Sequence, residues 1–456
     1  VPTETLAEQV AEWAGGVSPA DLPDEVRRAA GRSLLDIAGL CLAARHTDYV
    51  RAVIAACDGR GDCTAFGHEV RLDAAGAALV NGTAAHGEDF DDTFEGTPVH
   101  PGSVSVPAVL AACESHGRSG ADALKGMAVA TETMCRLALV APTAQHRAGF
   151  HPTAIIGTFG AAAGVAAALG LPPAQIVNAL GIAGSMASGI IEYLAEGAWT
   201  KRLHPGWAAQ SGYRAARLAA EGFQGPRTVF EGEHGFFFAF GADGITPDYA
   251  KLTGDLGETW RMTNLAFKPH ACGTICQPFV DIAIRMARDG IDPAKIAEIR
   301  CKVGEGTVHR LWQPRAEKIS PTSPYGAKFS VPFCIAMGFV DQAAGLDQFV
   351  PARIEDPCVR SLAAKIHHEV DPKNQYPDNY TGHLRVTLED GSVHEATQPH
   401  LRGGRHDPLS DQELTAKFFD NASHGGWRRE RAESLREYLE TLFERSDLDD
   451  LSNFRD

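Results

Sequence analysis

The chain has 456 residues, 44% hydrophobic and 22% charged, enough to bury a large core and to build two domains. A formal charge of −16 and a pI near 5.6 argue against binding nucleic acid or an anionic membrane through the overall field, so an anionic small molecule would need a local island of positive charge. The ten cysteines are scattered, and several (Cys41, Cys113, Cys135) sit in apolar sequence. That usage suits buried thiols in a reducing, cytoplasmic compartment rather than a disulfide framework. Cys272 and Cys276 have no second Cys or His pair at zinc-finger spacing, so no structural zinc is expected.

The first segment, VPTETLAEQVAEWAGG, reads as an acidic amphipathic helix with Leu6, Val10 and Trp13 on one side, not as a secretory signal. Pro23 opens a second helix through Leu34 and Leu40. Further helices are expected from about Asp73, over Val104 to Cys113, from about Asp122, after Thr153, over Ile176 to Met186, and from Pro205 through Trp207 to Ala220. Many are Ala-rich and apolar all round, the mark of helices buried in a large all-α body. The stretch Ala154 to Leu171 is the one candidate for a membrane span. Its Ala/Gly composition makes it weakly hydrophobic for its length, and Gly160 and Gly164 suggest a helix closely approached by a neighbour. No G-x-G-x-x-G or Walker pattern occurs.

After Ala266 the character changes. Ile296 to Val303 reads as a strand, and His383 to Thr397 as a hairpin turning at Asp390-Gly391, with helices over Lys328 to Gln342 and Asp356 to Val370 between them. Helices return from Ser410 to Phe419 and from Glu430 to Phe443. The expected fold is mainly α: a helical domain from residues 1–266 and 396–456, with an inserted α+β domain over residues 267–395.

Asn81 to Pro107 concentrates His86, Glu88, Asp89, Asp91, Asp92, Thr93, Glu95 and His100 between apolar flanks. If the preceding helix continues past His86, then His86, Asp89, Phe90 and Thr93 share a face. A solvated acidic loop is the alternative, and His100-Pro101-Gly102 ahead of an apolar run argues for a site. Cationic and titratable groups gather at three more places: His146, Arg147 and His151; Lys201, Arg202 and His204 ahead of Pro205; and Lys268, His270 and Gln277 at the change of character. Three of the four clusters lie at helix entries, where free N–H groups favour a carboxylate.

The segments LLDIAGL (34–40), NGTAAHGEDFDDT with the following HPG (81–102), GFHPTAIIGTFGAAA (149–163), KRLHPGWAAQSG (201–212), EGEHGF (231–236), KP-ACG (268–273), AKFSVPF (327–333) and GRHDPLS (404–410) give the chain a resemblance to the MmgE/PrpD family. Its members include 2-methylcitrate dehydratase, cis-aconitate decarboxylase and iminodisuccinate epimerase. The resemblance implies a helical domain from both chain ends, an inserted α+β lid, a homodimer, and a site that moves protons on a small di- or tricarboxylate without a metal or other cofactor. By motif it assigns catalysis to Asp89, His100, His151 and Lys201, and substrate contact to Thr93. Two positions depart from the decarboxylase pattern: Gln277 where a histidine is expected, and Phe333 where a tyrosine is expected.

The chemistry common to such enzymes is proton transfer at a carbon beside a carboxylate. Histidine can act as base or acid near neutral pH, and Lys201, with Arg202 or His204, would neutralise charge growing on the carboxylate. Lys268, His270 and Gln277 complete the candidate substrate contacts. The leading expectation is a lyase that dehydrates a hydroxy-polycarboxylate, with epimerisation and decarboxylation as variants of the same proton traffic. A metal-dependent hydrolase using His86, Asp89, Asp91 and His100, and a non-catalytic carboxylate-binding protein, are the readings from other classes.

Overall fold

The computed structural model describes residues 4–376 and 379–456. The fold is mainly helical and divides into two compact units: residues 1–87, 91–265 and 415–456 in the first, and residues 88–90 and 266–414 in the second.

The long helices of the first unit are α1 (Leu6–Gly16), α2 (Asp24–Ala44), α3 (Asp48–Ala55), α4 (Ala74–Gly87), α5 (Gly102–Ser115), α6 (Gly120–Val140), α7 (Pro152–Ala168), α8 (Pro173–Met186) and α9 (Thr200–Ala220). Their starts follow local chemistry. Thr5 and Glu8 form a capping box on α1, Ser119 and Asp122 another on α6, and Asp24 and Glu25 place negative charge at the positive end of α2. Every residue of α7 is buried within the protein, and no helix among the described residues is long and apolar enough to cross a membrane.

Glycines set the helix spacing. A Cβ on Gly160 would fall 2.3 Å from Met134 Cγ, and one on Gly164 would fall 2.5 Å from the Gly126 carbonyl oxygen, so α7 lies almost backbone to backbone on α6. A Cβ on Gly82 would fall 2.6 Å from Gly206 Cα, and one on Gly206 would fall 2.2 Å from the Leu79 carbonyl oxygen, which locks α4 against α9.

The second unit carries α10 (Gln277–Arg288), β1 (Ile296–Val303), α11 (Val331–Asp341), α12 (Pro357–Ala364), β2 (Ile366–Val370), β3 (Gly382–Leu388) and β4 (Val393–Gln398). Its sheet has the order β2-β1-β3-β4. The β1–β2 pair is parallel, in the register Ile299↔Ile366, and the other two pairs are antiparallel. Thr387 pairs with Val393 across the hairpin, and Gly391 takes φ +84° in the turn, as the Asp-Gly signal requires. The chain ends with α13 (Asp411–His424) and α14 (Arg429–Glu440).

Four sequence expectations are corrected. The helix carrying His86 stops at Gly87, where a Cβ would meet the Tyr49 hydroxyl at 2.2 Å, and Asp89 follows with a left-handed φ of +55°. Asp89 and Thr93 therefore share no helical face with His86. The helix expected from Pro205 begins at Thr200, so Lys201, Arg202 and His204 lie inside its first turns and Pro205, which has no N–H to donate, lies within the helix. Residues 366–370 form a strand, not the end of a helix: Ile366, His368 and Val370 alternate along β2, and Arg315 donates to the carbonyls of Ala364 and Ile366 at 2.8 Å. Residues 396–414 group with the second unit, because β4 runs to Gln398 and the Phe267 N–H donates to the Gly403 carbonyl at 2.9 Å. Beyond that point Lys417 pairs with buried Asp36 at 2.7 Å, within the first unit.

Gly164→Ala should therefore destabilise the protein by roughly 1–3 kcal/mol or more through overpacking. Gly16→Ala, with nothing within 4 Å of the added Cβ, should be neutral or stabilising. Urea denaturation of the two variants checks this; equal effects would show that α6 and α7 do not depend on the glycine contact.

Candidate active site

The α4–α9 contact sets His86, one turn beyond Gly82, near Lys201 and His204, which precede Gly206. His151 occupies the N-cap position of α7, and its backbone is held by an N–H donated to the Gly189 carbonyl at 2.9 Å. His100 precedes α5 and donates its backbone N–H to the Thr153 hydroxyl at 3.1 Å, which ties the entries of α5 and α7 together. The result is a row of four buried imidazoles. Ring centroids are 5.0 Å apart for His100–His86, 5.6 Å for His86–His151 and 5.3 Å for His151–His204. Tyr193 meets His151 and His204 edge-on at 6.2 and 5.8 Å.

Hydrogen-bond partners fix several protons. His100 Nδ1 lies 2.8 Å from the Asp92 carbonyl oxygen, which can only accept, so Nδ1 carries the hydrogen and Nε2 is the basic nitrogen of the neutral ring. His86 Nδ1 lies 2.8 Å from Asp91 Oδ2, and the other Asp91 oxygen is 3.7 Å from His100 Nδ1. His151 Nδ1 and His204 Nδ1 are 3.1 Å apart, so one ring donates and the other accepts. Burial, then the charges of Lys201 and His86, hold His151 well below the usual histidine range. Burial, then His86 and Lys201, bring His204 down to about 4. Both rings are therefore neutral at neutral pH.

Thr93 is buried in a two-residue strand, Thr93–Phe94, and its hydroxyl donates to the Val99 carbonyl at 3.4 Å. The Arg202 guanidinium stacks 4.4 Å over the Tyr49 ring. Asp92 accepts from Ser33 Oγ at 2.7 Å and from the Gly102 N–H at 2.9 Å, yet burial pushes its carboxyl up to about 7.

The remaining candidates belong to the second unit. Lys268 donates to the Asp89 carbonyl at 2.8 Å and lies 3.6 Å from its carboxylate. Lys328 donates to the Glu88 carbonyl at 2.7 Å and to its carboxylate at 2.5 Å. These two buried lysines hold the Glu88–Phe90 segment. His270 Nε2 lies 3.0 Å from Asp281. Gln277 is a clasp: its oxygen accepts from the His270 N–H at 3.1 Å, and its nitrogen donates to the His270 and Cys272 carbonyls at 2.8 Å. Phe333 is fully buried in α11 and brings no hydroxyl.

Of the predicted residues, the first unit thus contains His100, His151, Lys201, His204, Thr93 and Arg202, the first four of them around the imidazole row. Asp89, Lys268, His270 and Gln277 lie in the second unit. The sequence reading omits His86 and Tyr193 from its catalytic set, and Lys328 altogether. His86 was findable, four residues beyond Gly82 on an Ala-rich helix; Tyr193 carries no local signal. His86, Asp91 and His100 place ligand atoms within 4.8 Å of one another, close enough to share a cation, while Nδ1 of each histidine faces an oxygen.

A helical body thus carries a buried imidazole row beside a lysine. The chain belongs to the MmgE/PrpD family: the model of the MmgE/PrpD N-terminal domain matches residues 8–246, and that of the C-terminal domain matches residues 270–441. Similar proteins include a cis-aconitate decarboxylase-like protein of Aspergillus oryzae, 28% identical over 98% of this chain and 97% of its own length. The human cis-aconitate decarboxylase is 31% identical over 84% of this chain and 79% of its own. An Aspergillus terreus cis-aconitate decarboxylase is 27% identical, with coverages of 91% and 88%.

The site makes a stability prediction. Because Asp92 titrates near 7 when folded and near 3.8 otherwise, the folded chain holds a proton that the unfolded chain has lost between those values. Stability should fall as pH rises through that window, by at most about 1.4 kcal/mol per pH unit, and change no further above it. Asp92→Asn should remove that slope. Urea denaturation from pH 5 to 8 checks it, and parallel curves for the two proteins would refute the assignment.

Proposed function

We propose that the protein is a lyase acting on a small polycarboxylate, and that decarboxylation of an unsaturated tricarboxylate such as cis-aconitate is its reaction. The observation that carries this is the His151–His204 pair, sharing one hydrogen at 3.1 Å beside Lys201. Lys201 supplies local positive charge in a chain of net −16, and it would hold a substrate carboxylate. As one carboxylate leaves as CO2, its bonding electrons pass to carbon, and an imidazole delivers the proton that completes the C–H bond. His100, with Nδ1 fixed by the Asp92 carbonyl, presents a basic Nε2 that can take up a proton and, once protonated, return it to carbon. The activity named for the relatives supports decarboxylation over the dehydration first expected.

Dehydration of a hydroxy-polycarboxylate is the second reading, favoured by Phe333 and by Gln277, whose amide is spent on backbone. Incubation with cis-aconitate, citrate and 2-methylcitrate in deuterated water separates the two. Decarboxylation releases CO2 and leaves a diacid with one deuterium on carbon; dehydration yields an alkene and no CO2. Turnover of none of these acids, together with no binding of them by calorimetry, would overturn the proposal.

His100→Gln and His151→Gln should each lose 10²- to 10⁴-fold in kcat, the usual cost of removing a general acid or base, with little change in substrate Kd. Lys201→Met should weaken Kd as well as kcat, because its charge serves both ground and transition states. Direct binding measurements beside the kinetics decide it; near-normal turnover by both histidine variants would place the proton transfer elsewhere. A homodimer belongs to the same proposal, on the family resemblance. Light scattering should give twice the chain mass of 48.6 kDa, and a monomer mass at micromolar concentration would count against it.

A further inference from the structure

His86 lies in the middle of the imidazole row, fully buried, and the chemistry above assigns it no step. Asp91, also fully buried, lies beside it, and a carboxylate removed from water needs a compensating charge or dense hydrogen bonding. The nearer of its two imidazole neighbours is His86, at 2.8 Å against 3.7 Å for His100. His100 Nδ1 donates to the Asp92 carbonyl. The proton that would balance Asp91 therefore resides best on His86, which would then carry a positive charge between His100 and His151.

We propose that His86 and Asp91 form a permanent imidazolium–carboxylate pair, a positioning device whose charge adds to burial and Lys201 in holding His151 and His204 without a second proton until an anionic ligand enters. The groups facing His151 are Lys201 and His204 from α9, His86 from α4, His100 from the segment before α5, and the Tyr193 ring. Three of these, Lys201, His86 and His204, act directly within the His151–His204 pair or upon both of its rings. Lys201 is the other standing cation, so His86 supplies a second, held in place by its own counter-ion. Two observations agree with this. The charge of His86 acts on both His151 and His204 to disfavour protonation, and the negative charge of Asp91 is among the causes that raise Asp92. His86 touches no reacting atom in this scheme and acts through its neighbours.

The inference rests on the proposed acid–base chemistry for its kinetic consequence, but its first test needs no turnover. Ring ¹⁵N chemical shifts of the histidines, followed from pH 4.5 to 8.5 in the ligand-free protein, should show His86 protonated throughout and His151 neutral at neutral pH. In His86→Gln the His151 midpoint should rise by at least one pH unit, a tenfold change in its proton affinity. In Asp91→Asn, which keeps the shape of the carboxyl group while removing the counter-ion, His86 should become neutral and the His151 midpoint should rise by a smaller amount. The limb of the kcat/KM profile that reports His151 should move to higher pH in both variants. A role confined to packing would lower stability and leave these midpoints in place. If His86→Gln does not fold, Asp91→Asn decides alone. A neutral His86 in the parent protein, or an unmoved His151 in the folded variants, would overturn the inference while leaving the lyase reading intact. The NMR shifts without turnover of any acid tested would do the reverse.

Discussion

The close approach of α4 and α9 at Gly82 and Gly206 is the constraint from which the site follows. Neither glycine leaves room for a methyl group, since each would press a Cβ into the other helix's backbone. One turn along α4 lies His86; on α9, just ahead of Gly206, lie His204 and Lys201. Helices at an ordinary separation of 8–10 Å would leave more space between these side chains. Here the rings are brought near enough for Coulomb forces in a dry interior to add to burial in setting their protonation.

That interior resolves a mismatch in the chain's charge. A protein with net −16 should repel small polyanions at long range. The acidic groups nearest the imidazole row are engaged, however: Asp91 by His86, and Asp92 by Ser33, the Gly102 N–H and its own raised proton affinity. Locally the balance is therefore set by Lys201 and the histidines rather than by the surface total. Burial supplies the largest share of the shift at His151, His204 and Asp92 alike, pushing each toward its uncharged form.

Much of this was legible in the sequence where local chemistry dictates structure. Ile296 to Val303 alternates as a strand and is one, the Asp390-Gly391 turn closes its hairpin, and the Gly160/Gly164 spacing does mark a close helix contact. Reading failed where long-range packing overrode local pattern. Nothing near Gly87 announces that Tyr49, from another helix, will occupy the space a side chain there would need, at the point where α4 ends. Pro205 looks like a helix start and lies inside one, because α9 is long enough and buried enough to tolerate the lost bond. The histidines were found as separate clusters at helix entries, and four of the residues so identified do gather in one place. The ring that links them, His86, is grouped by helical spacing with Asp89 and Thr93, and the motif resemblance gives it no role.

The shared hydrogen between His151 and His204 has a thermodynamic consequence outside catalysis. A pair of rings kept neutral by burial and neighbouring cations is an unfilled proton receptor. Any polyanion admitted beside it raises the proton affinity of both rings, so complex formation draws a proton from solution. The measured heat of association then contains the ionisation enthalpy of whichever buffer supplied that proton. The association constant must also climb as the medium becomes more acidic, down to the pH at which the ligand's own carboxylates begin to protonate. If the site takes a polyanion as proposed, its hold on that ligand is coupled to the acidity of the surroundings before any bond is broken.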